Sequence, residues 1–211
     1  TGSTQVAKII QRALAAKDGA IVPLIAETGG INAMLVDSTA LPEQVVDAVV
    51  QSVFRSAGQR CSALRLLCVH EGIADAVIEM IQGAASELSA GDTGDFATDL
   101  GPVIDTEACE GIRRHLERLR KEAKPLLPAL GGAMEGNLIA PQMFEVGSIA
   151  EVKHEIFGPV LQVVRWGGDP MAVMQQINAL GYGLTLGIQT RIDSRARQLA
   201  AAAHVGNVYV N

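Results

Sequence analysis

The chain has 211 residues, 48% of them hydrophobic, with 17 basic against 23 acidic side chains and a formal charge of −6. That is enough apolar material for one domain-sized core, and the acidic balance argues against a nucleic-acid partner. No apolar run is long enough to span a membrane, no basic-then-apolar leader opens the sequence, and Cys61, Cys68 and Cys109 are spaced for a reducing compartment rather than a disulfide framework.

Ser3 and Thr4 form a cap signal before apolar positions Val6, Ile9, Ile10 and Leu14, which predicts a helix within residues 1–17. Its Gly-Ser-Thr start offers free amide groups to an anion; on residues alone it is only a capped helix. Residues 21–26 read as a buried strand that delivers Glu27. The run Glu27-Thr28-Gly29-Gly30, a carboxylate before paired glycines, suits a strand end where backbone passes close to a ligand.

Residues 31–37 read as a second strand and 42–54 as a helix whose valines fall on one side. The stretch 54–65, FRSAGQRCSALR, then joins that helix to a strand at 64–70 and places Cys61 in the connection. A free thiol is only a few per cent ionised at neutral pH, so arginines at 55, 60 and 65 could favour its reactive thiolate. Gln59 and Arg60 are assigned to shaping the loop. Cys68 and Cys109 fall in periodic segments and read as packing residues.

Further on, 73–88 is an amphipathic helix and 105–123 a charged one. There Arg113, Arg114, Arg118, Arg120 and Lys121 interleave with Glu110, Glu117 and Glu122 as a solvated face. Residues 125–130, 138–144, 160–166, 184–190 and 208–210 are strand candidates, with helices at 171–180 and 194–203. Strands alternating with helices in this way imply an α/β fold with an open, mostly parallel sheet flanked by helices. Four scattered histidines, with no HxxH or CxxC, give no sign of a metal site.

ETGG at 27–30, FRSAGQRCSALR at 54–65 and EIFGP at 155–159 occur in that order, with Cys61 lying 34 residues after Glu27. Together with AETGGINAMLVDS, LGPVIDTEA, EIFGPVLQVVRW, GYGLTLGIQTRID and AHVGNVYVN, they resemble the aldehyde dehydrogenase superfamily. The wording is most similar to its Δ1-pyrroline-5-carboxylate (glutamate γ-semialdehyde) dehydrogenase branch from bifunctional proline-catabolic enzymes. The resemblance runs nearly end to end. It implies a fold of the aldehyde dehydrogenase catalytic-domain type, with residues 1–30 the C-terminal remnant of an NAD-binding domain. Residues 31–211 would be the thiol-bearing catalytic domain, truncated at its C-terminal end.

The same resemblance implies roles for individual residues. Cys61 would be the nucleophile, passing through a hemithioacetal and a thioester, and Glu27 the general base. Ser3, Thr4, Glu27 and Thr28 would lie at the NAD site, Glu155 would hold the nicotinamide ribose and Phe157 would pack at the nicotinamide end. Ser62 would help bind the substrate carboxylate. On residues alone, Glu155 and Phe157 equally suit a structural turn with a core phenylalanine, and Ser62 an ordinary turn serine. GxGxxG is absent, and this family does not rely on it.

FAD would belong only to the proline dehydrogenase part of the parent, outside this chain. The parent is expected to be a cytoplasmic homo-oligomer, with peripheral contact at the inner membrane left open, and the fragment alone is expected to be inactive. Two other readings stand beside this one: a folded interaction module with an idle cysteine, and a cysteine hydrolase or acyltransferase. The second lacks a motif supplying a histidine partner.

Overall fold

Alternation along two central strands, Asn32–Val36 (β1) and Leu64–His70 (β2), divides the hydrophobic core into two layers. Met34, Val36, Leu67 and Val69 face one side of the sheet, and Ala33, Leu35, Leu66 and Cys68 the other, as the two-residue repeat of a strand requires. Both faces are covered, so these strands read as continuous apolar runs rather than as polar–apolar alternation.

The computed structural model describes residues 1–128 and 136–211. Its other elements are helices Thr4–Ala15 (α1), Pro42–Phe54 (α2), Glu71–Ser86 (α3), Thr106–Glu122 (α4), Pro170–Ala179 (α5) and Asp193–Ala202 (α6). The remaining strands are Lys124–Pro125 (β3), Gln142–Glu145 (β4), Val160–Trp166 (β5), Thr185–Gln189 (β6) and Asn207–Val210 (β7). They form one sheet in the order β3-β4-β5-β2-β1-β6-β7, parallel except where β3 meets β4.

Helices α2 and α3 cover one face and α5 and α6 the other. Valines give α2 weak intrinsic helicity, so packing holds it. Val45, Val49 and Val53, one turn apart, are all fully buried, and each contributes about 1.5 kcal/mol or more. Helix α4 adds a third cluster, in which Cys109, Ile112, Leu116 and Leu119 meet Ala57, Ile156 and Val160.

At the C-terminal ends of β1 and β6, Asp37 is fully buried. It accepts hydrogen bonds from Thr39 N (2.5 Å), Thr39 Oγ1 (2.6 Å) and Thr190 Oγ1 (2.9 Å), and pairs with Arg195. Burial alone would raise its pKa, but the bonds from Thr39, Arg195 and Thr190 outweigh it and hold the carboxyl below its ordinary value.

Three predicted strands need correction. Residues 21–26 are not a strand and are not buried: Ile21 is 99% and Ile25 87% exposed. A strand forms only against a partner. β1 is already flanked by β2 and β6, and the backbone bond that ties this region to the start of the chain is Gly2 N to Glu27 O at 3.0 Å, not a ladder. The strand predicted at 125–130 is reduced to Lys124–Pro125, with one further bond from Leu126 N to Met143 O (2.8 Å), and residues 129–130 lie outside the described residues. The strand predicted from 138 begins only at Gln142, after Pro141, which has no amide hydrogen for a ladder.

Candidate active site

The connections entering β1, β2, β5 and β6 meet at the N-terminal rim of the sheet, where hydrogen bonds link residues far apart in sequence. The tightest of them precedes β2. Ser56 (φ 57°), Ala57 (φ 50°) and Gly58 (φ 67°) are three successive residues in the left-handed region. For the two that carry a Cβ this costs about 1 kcal/mol or more each. Burial of Ala57 in the α4 cluster helps to hold the turn. At Gly58 a Cβ would come within 2.1 Å of Gly158 O, so the glycine allows the 54–65 loop to lie directly on the 155–159 turn.

Arg65, the second residue of β2, fastens these two segments together. It is 1% exposed. Its Nη1 donates to Gly158 O (2.9 Å), and its Nη2 donates to Gly58 O (2.6 Å) and Arg60 O (3.3 Å). Glu155 Oε1 lies 3.9 Å from Nη2, and the Phe157 ring lies over the guanidinium at 5.5 Å. Burial lowers the Arg65 pKa to about 10, with Glu155 opposing that shift, so the group is cationic at neutral pH.

Glu155 in turn reaches the glycine pair: Gly30 N donates to its Oε1 at 3.2 Å, and a Cβ on Gly29 would lie 1.7 Å from its Oε2. Burial pushes the Glu155 pKa up, against the opposing effects of the Gly30 amide and Arg65. Asn32 completes the set. Its Nδ2 donates to Cys61 O (2.7 Å) and Ala63 O (2.8 Å), while its Oδ1 accepts from Thr185 N (3.1 Å).

Cys61 is exposed at the end of this loop, whereas Cys68 and Cys109 are buried and burial pushes the Cys68 thiol up. Arg60 and Arg65 make their hydrogen bonds to backbone carbonyls, Arg60 through Nη2 to Gln51 O at 3.1 Å. The loop is therefore held by Arg60 and Arg65. Gln59 holds it too, through Nε2 to Pro102 O (3.3 Å) and through Oε1, which accepts from Ile104 N (2.8 Å).

The predicted site residues fall into three neighbourhoods. Ser3 caps α1 by accepting from Val6 N at 3.2 Å. With Gly2, Val6, Ile25 and Glu27 it lines a cavity of about 70 Å³, while Thr4 opens the helix and Thr28 is half-buried. Ser62 and Arg60 line a second cavity of about 360 Å³ with Gln51, Tyr209 and Asn211. Phe157 borders a third, about 680 Å³ and open to solvent, with Ala57, Pro102 and Ile104. It is 42% exposed and so is not a core phenylalanine.

Thus Glu155, Phe157 and the Cys61 loop are brought together, as are Ser3 and Glu27. Glu27 and Cys61 share no hydrogen bond among the described residues, and Cys61 does not line the cavity that holds Glu27. Glu27 is exposed and does not stand at the end of a buried strand.

Two residues escaped the sequence reading: Asn32 as a clamp, and Arg65 as anything beyond a nearby charge. Each is a polar side chain inside an otherwise apolar strand, INAMLV and LRLLCV, and that is the signal that could have identified them. Among the described residues no helix is long and apolar enough to cross a membrane, and no three His, Cys, Asp or Glu side chains cluster as metal ligands.

Comparison with known proteins bears on the family of the whole chain. The model of the "Aldehyde dehydrogenase family" matches residues 1–211. The "Bifunctional protein PutA" of Escherichia coli is 49% identical over the full chain, and that of Rhizobium meliloti 43%; the chain spans 17% and 18% of their lengths. A "1-pyrroline-5-carboxylate dehydrogenase" from Geobacillus is 32% identical, with the chain spanning 42% of it.

Among solved structures, a bifunctional proline utilization A (PutA) protein superposes with a TM-score of 0.95 at 55% identity, over 99% of this chain and 21% of that one. A 1-pyrroline-5-carboxylate dehydrogenase from Thermus with bound NAD gives 0.87 at 32%, over 99% and 41%. With its seven-stranded, mostly parallel sheet and a family match from end to end, the chain belongs to the aldehyde dehydrogenase family.

Proposed function

We propose that this chain is the nucleophile-bearing part of a longer, bifunctional enzyme that oxidises L-glutamate γ-semialdehyde to glutamate in proline catabolism. The observation that carries the reading is the joining of residues 27–30, 54–65 and 155–159 at one rim through Glu155 and Arg65. Relatives named as PutA and as 1-pyrroline-5-carboxylate dehydrogenase supply the substrate class.

Residues 1–30 are read as the end of a cofactor domain and 31–211 as the catalytic domain. Sustained burial beginning at Gly30 and Ile31 supports that boundary. The residues at the rim suit NAD. Glu155 has one oxygen engaged by Gly30 N and makes no hydrogen bond through Oε2 among the described residues, which leaves an acceptor for a ribose hydroxyl. Phe157 presents an exposed face beside it.

The chemistry assigned to the chain's own residues is covalent. The Cys61 sulfur adds to the aldehyde carbon and forms a hemithioacetal, so that a hard oxidation becomes two easier steps. Bound NAD supplies the hydride acceptor for that carbon. With the hydride passed to that acceptor and the hydroxyl proton released to water, the carbon is left as a thioester on Cys61. Water gives a proton to Glu27 and attacks the thioester carbon, which releases glutamate and regenerates the thiol. The substrate's carboxylate is assigned to Ser62, which lines a cavity together with Arg60.

Glu27 sits in the exposed segment, so its delivery to Cys61 depends on the rest of the cofactor domain in this reading. The 211-residue chain alone is therefore expected to show little or no turnover. The test is NADH formation from glutamate semialdehyde by the full-length polypeptide, beside its Cys61→Ala variant and the 211-residue chain. Turnover confined to the full-length protein and abolished with Cys61 is the expected result. Turnover that survives loss of Cys61, or a full-length protein that leaves the semialdehyde untouched, overturns the proposal.

A further inference from the structure

Cys61 belongs to an exposed turn, yet the peptide units on both of its sides are fixed. On the N-terminal side, the Arg60 carbonyl accepts from Arg65 Nη2 at 3.3 Å. On the C-terminal side, the Cys61 carbonyl accepts from Asn32 Nδ2 at 2.7 Å. An exposed loop held only by its own turns would let the sulfur wander. Here the backbone is fastened to the sheet on either side of the nucleophile while the thiol stays open to solvent.

The two anchors differ. The Asn32 side chain makes its hydrogen bonds to the loop and to the start of β6. Arg65 touches the loop at Gly58 and Arg60, the second turn at Gly158, the Glu155 carboxylate and the Phe157 ring. Its planar fork matches this arrangement, since Nη1 and Nη2 reach carbonyls on separate segments at once. A lysine would keep the charge but offer a single ammonium that cannot copy the fork.

From this geometry we infer that Arg65 is a positioning residue for the reaction. It sets the place of the Cys61 loop relative to Glu155 and Phe157, and it touches none of the reacting atoms itself. The proposal rests on the dehydrogenase reading above for its kinetic consequence, but not for its effect on the thiol. If the loop holds the sulfur for addition to the aldehyde carbon, loosening the fork lowers the chemical step more than substrate binding. Misplacement of a reacting group by about 1 Å costs up to roughly a hundredfold in rate.

The experiment compares the full-length enzyme with its Arg65→Lys and Arg65→Gln variants. The readouts are kcat and KM for glutamate semialdehyde, and the pH profile of Cys61 alkylation by iodoacetamide located by peptide mapping. Arg65→Lys is expected to fold, to lower kcat roughly tenfold or more with KM within about twofold, and to move the alkylation profile. Arg65→Gln, where soluble, is expected to go further in the same directions.

A folded Arg65→Lys enzyme whose kcat and alkylation profile both match the parent's would overturn the proposal, whatever happens to its melting temperature. Alkylation needs no substrate. If the full-length protein does not oxidise the semialdehyde at all, a changed Cys61 profile in Arg65→Lys still upholds the positioning role, and an unchanged one still rejects it.

Discussion

Replacing Gly58 with alanine tests how closely the nucleophile loop lies on its neighbour. Two costs can be read from the structure. The residue sits at φ 67°, which costs a side chain about 1 kcal/mol. The new Cβ would also meet Gly158 O at 2.1 Å, Gly158 C at 2.4 Å and Pro159 N at 2.9 Å, all of them backbone atoms. Restoring van der Waals separation requires the two segments to part by roughly 1 Å, and overpacking of this kind costs about 1–3 kcal/mol.

Gly58→Ala is therefore expected to lose about 2–4 kcal/mol, a fall in melting temperature of roughly 5–15 °C for a chain of this size. Gly168→Ala is the control. Its φ is 79°, but nothing lies within 4 Å of the position its new methyl group would take, so only the conformational cost of about 1 kcal/mol applies. Urea unfolding followed by the single, buried Trp166 measures both variants. Equal losses in the two would refute the contact argument, because they would show that the loop and the 155–159 turn can separate at no cost.

Asn32→Ala removes two donated bonds and one accepted bond at a buried site; a loss of about 2–4 kcal/mol in urea unfolding is expected. For Asp37 the folded pKa lies below its ordinary value of 3.8. Its contribution is thus complete above the unfolded pKa and is lost as pH falls through the folded one. Unfolding measured from pH 7 downward should show stability declining below about pH 4, and Asp37→Asn should flatten that decline while lowering stability at neutral pH. Native protein should take up one equivalent of a thiol reagent, at Cys61, and three after denaturation, since Cys68 and Cys109 are buried; rapid native labelling of all three would contradict the burial.

The parallel sheet was legible because β1, β2 and β5 are covered on both faces and appear as apolar runs separated by helix-length periodic segments. Residues 21–26 misled for the complementary reason. Ile21-Val22 and Leu24-Ile25 are as apolar as a core strand, but composition does not reveal whether a partner strand is present. The segments that carry Cys61, Glu155 and Phe157 stood out by their motifs, and the structure brings those segments together. Arg65 was misread because three arginines near a cysteine suggest thiolate electrostatics. Its position inside a buried strand obliges it instead to bond neighbouring carbonyls.

Segments 27–30, 54–65 and 155–159 enter β1, β2 and β5 from the N-terminal rim, and the opposite rim carries short connections: β2 runs straight into α3, residues 167–169 link β5 to α5, and residues 190–192 link β6 to α6. The two rims can therefore be engineered separately. A peptide tag or reporter grafted at Gly168, where the backbone already turns and the space around it is open, leaves the Cys61 loop untouched, whereas lengthening the 55–63 connection by even one residue would slide the sulfur off its two anchors.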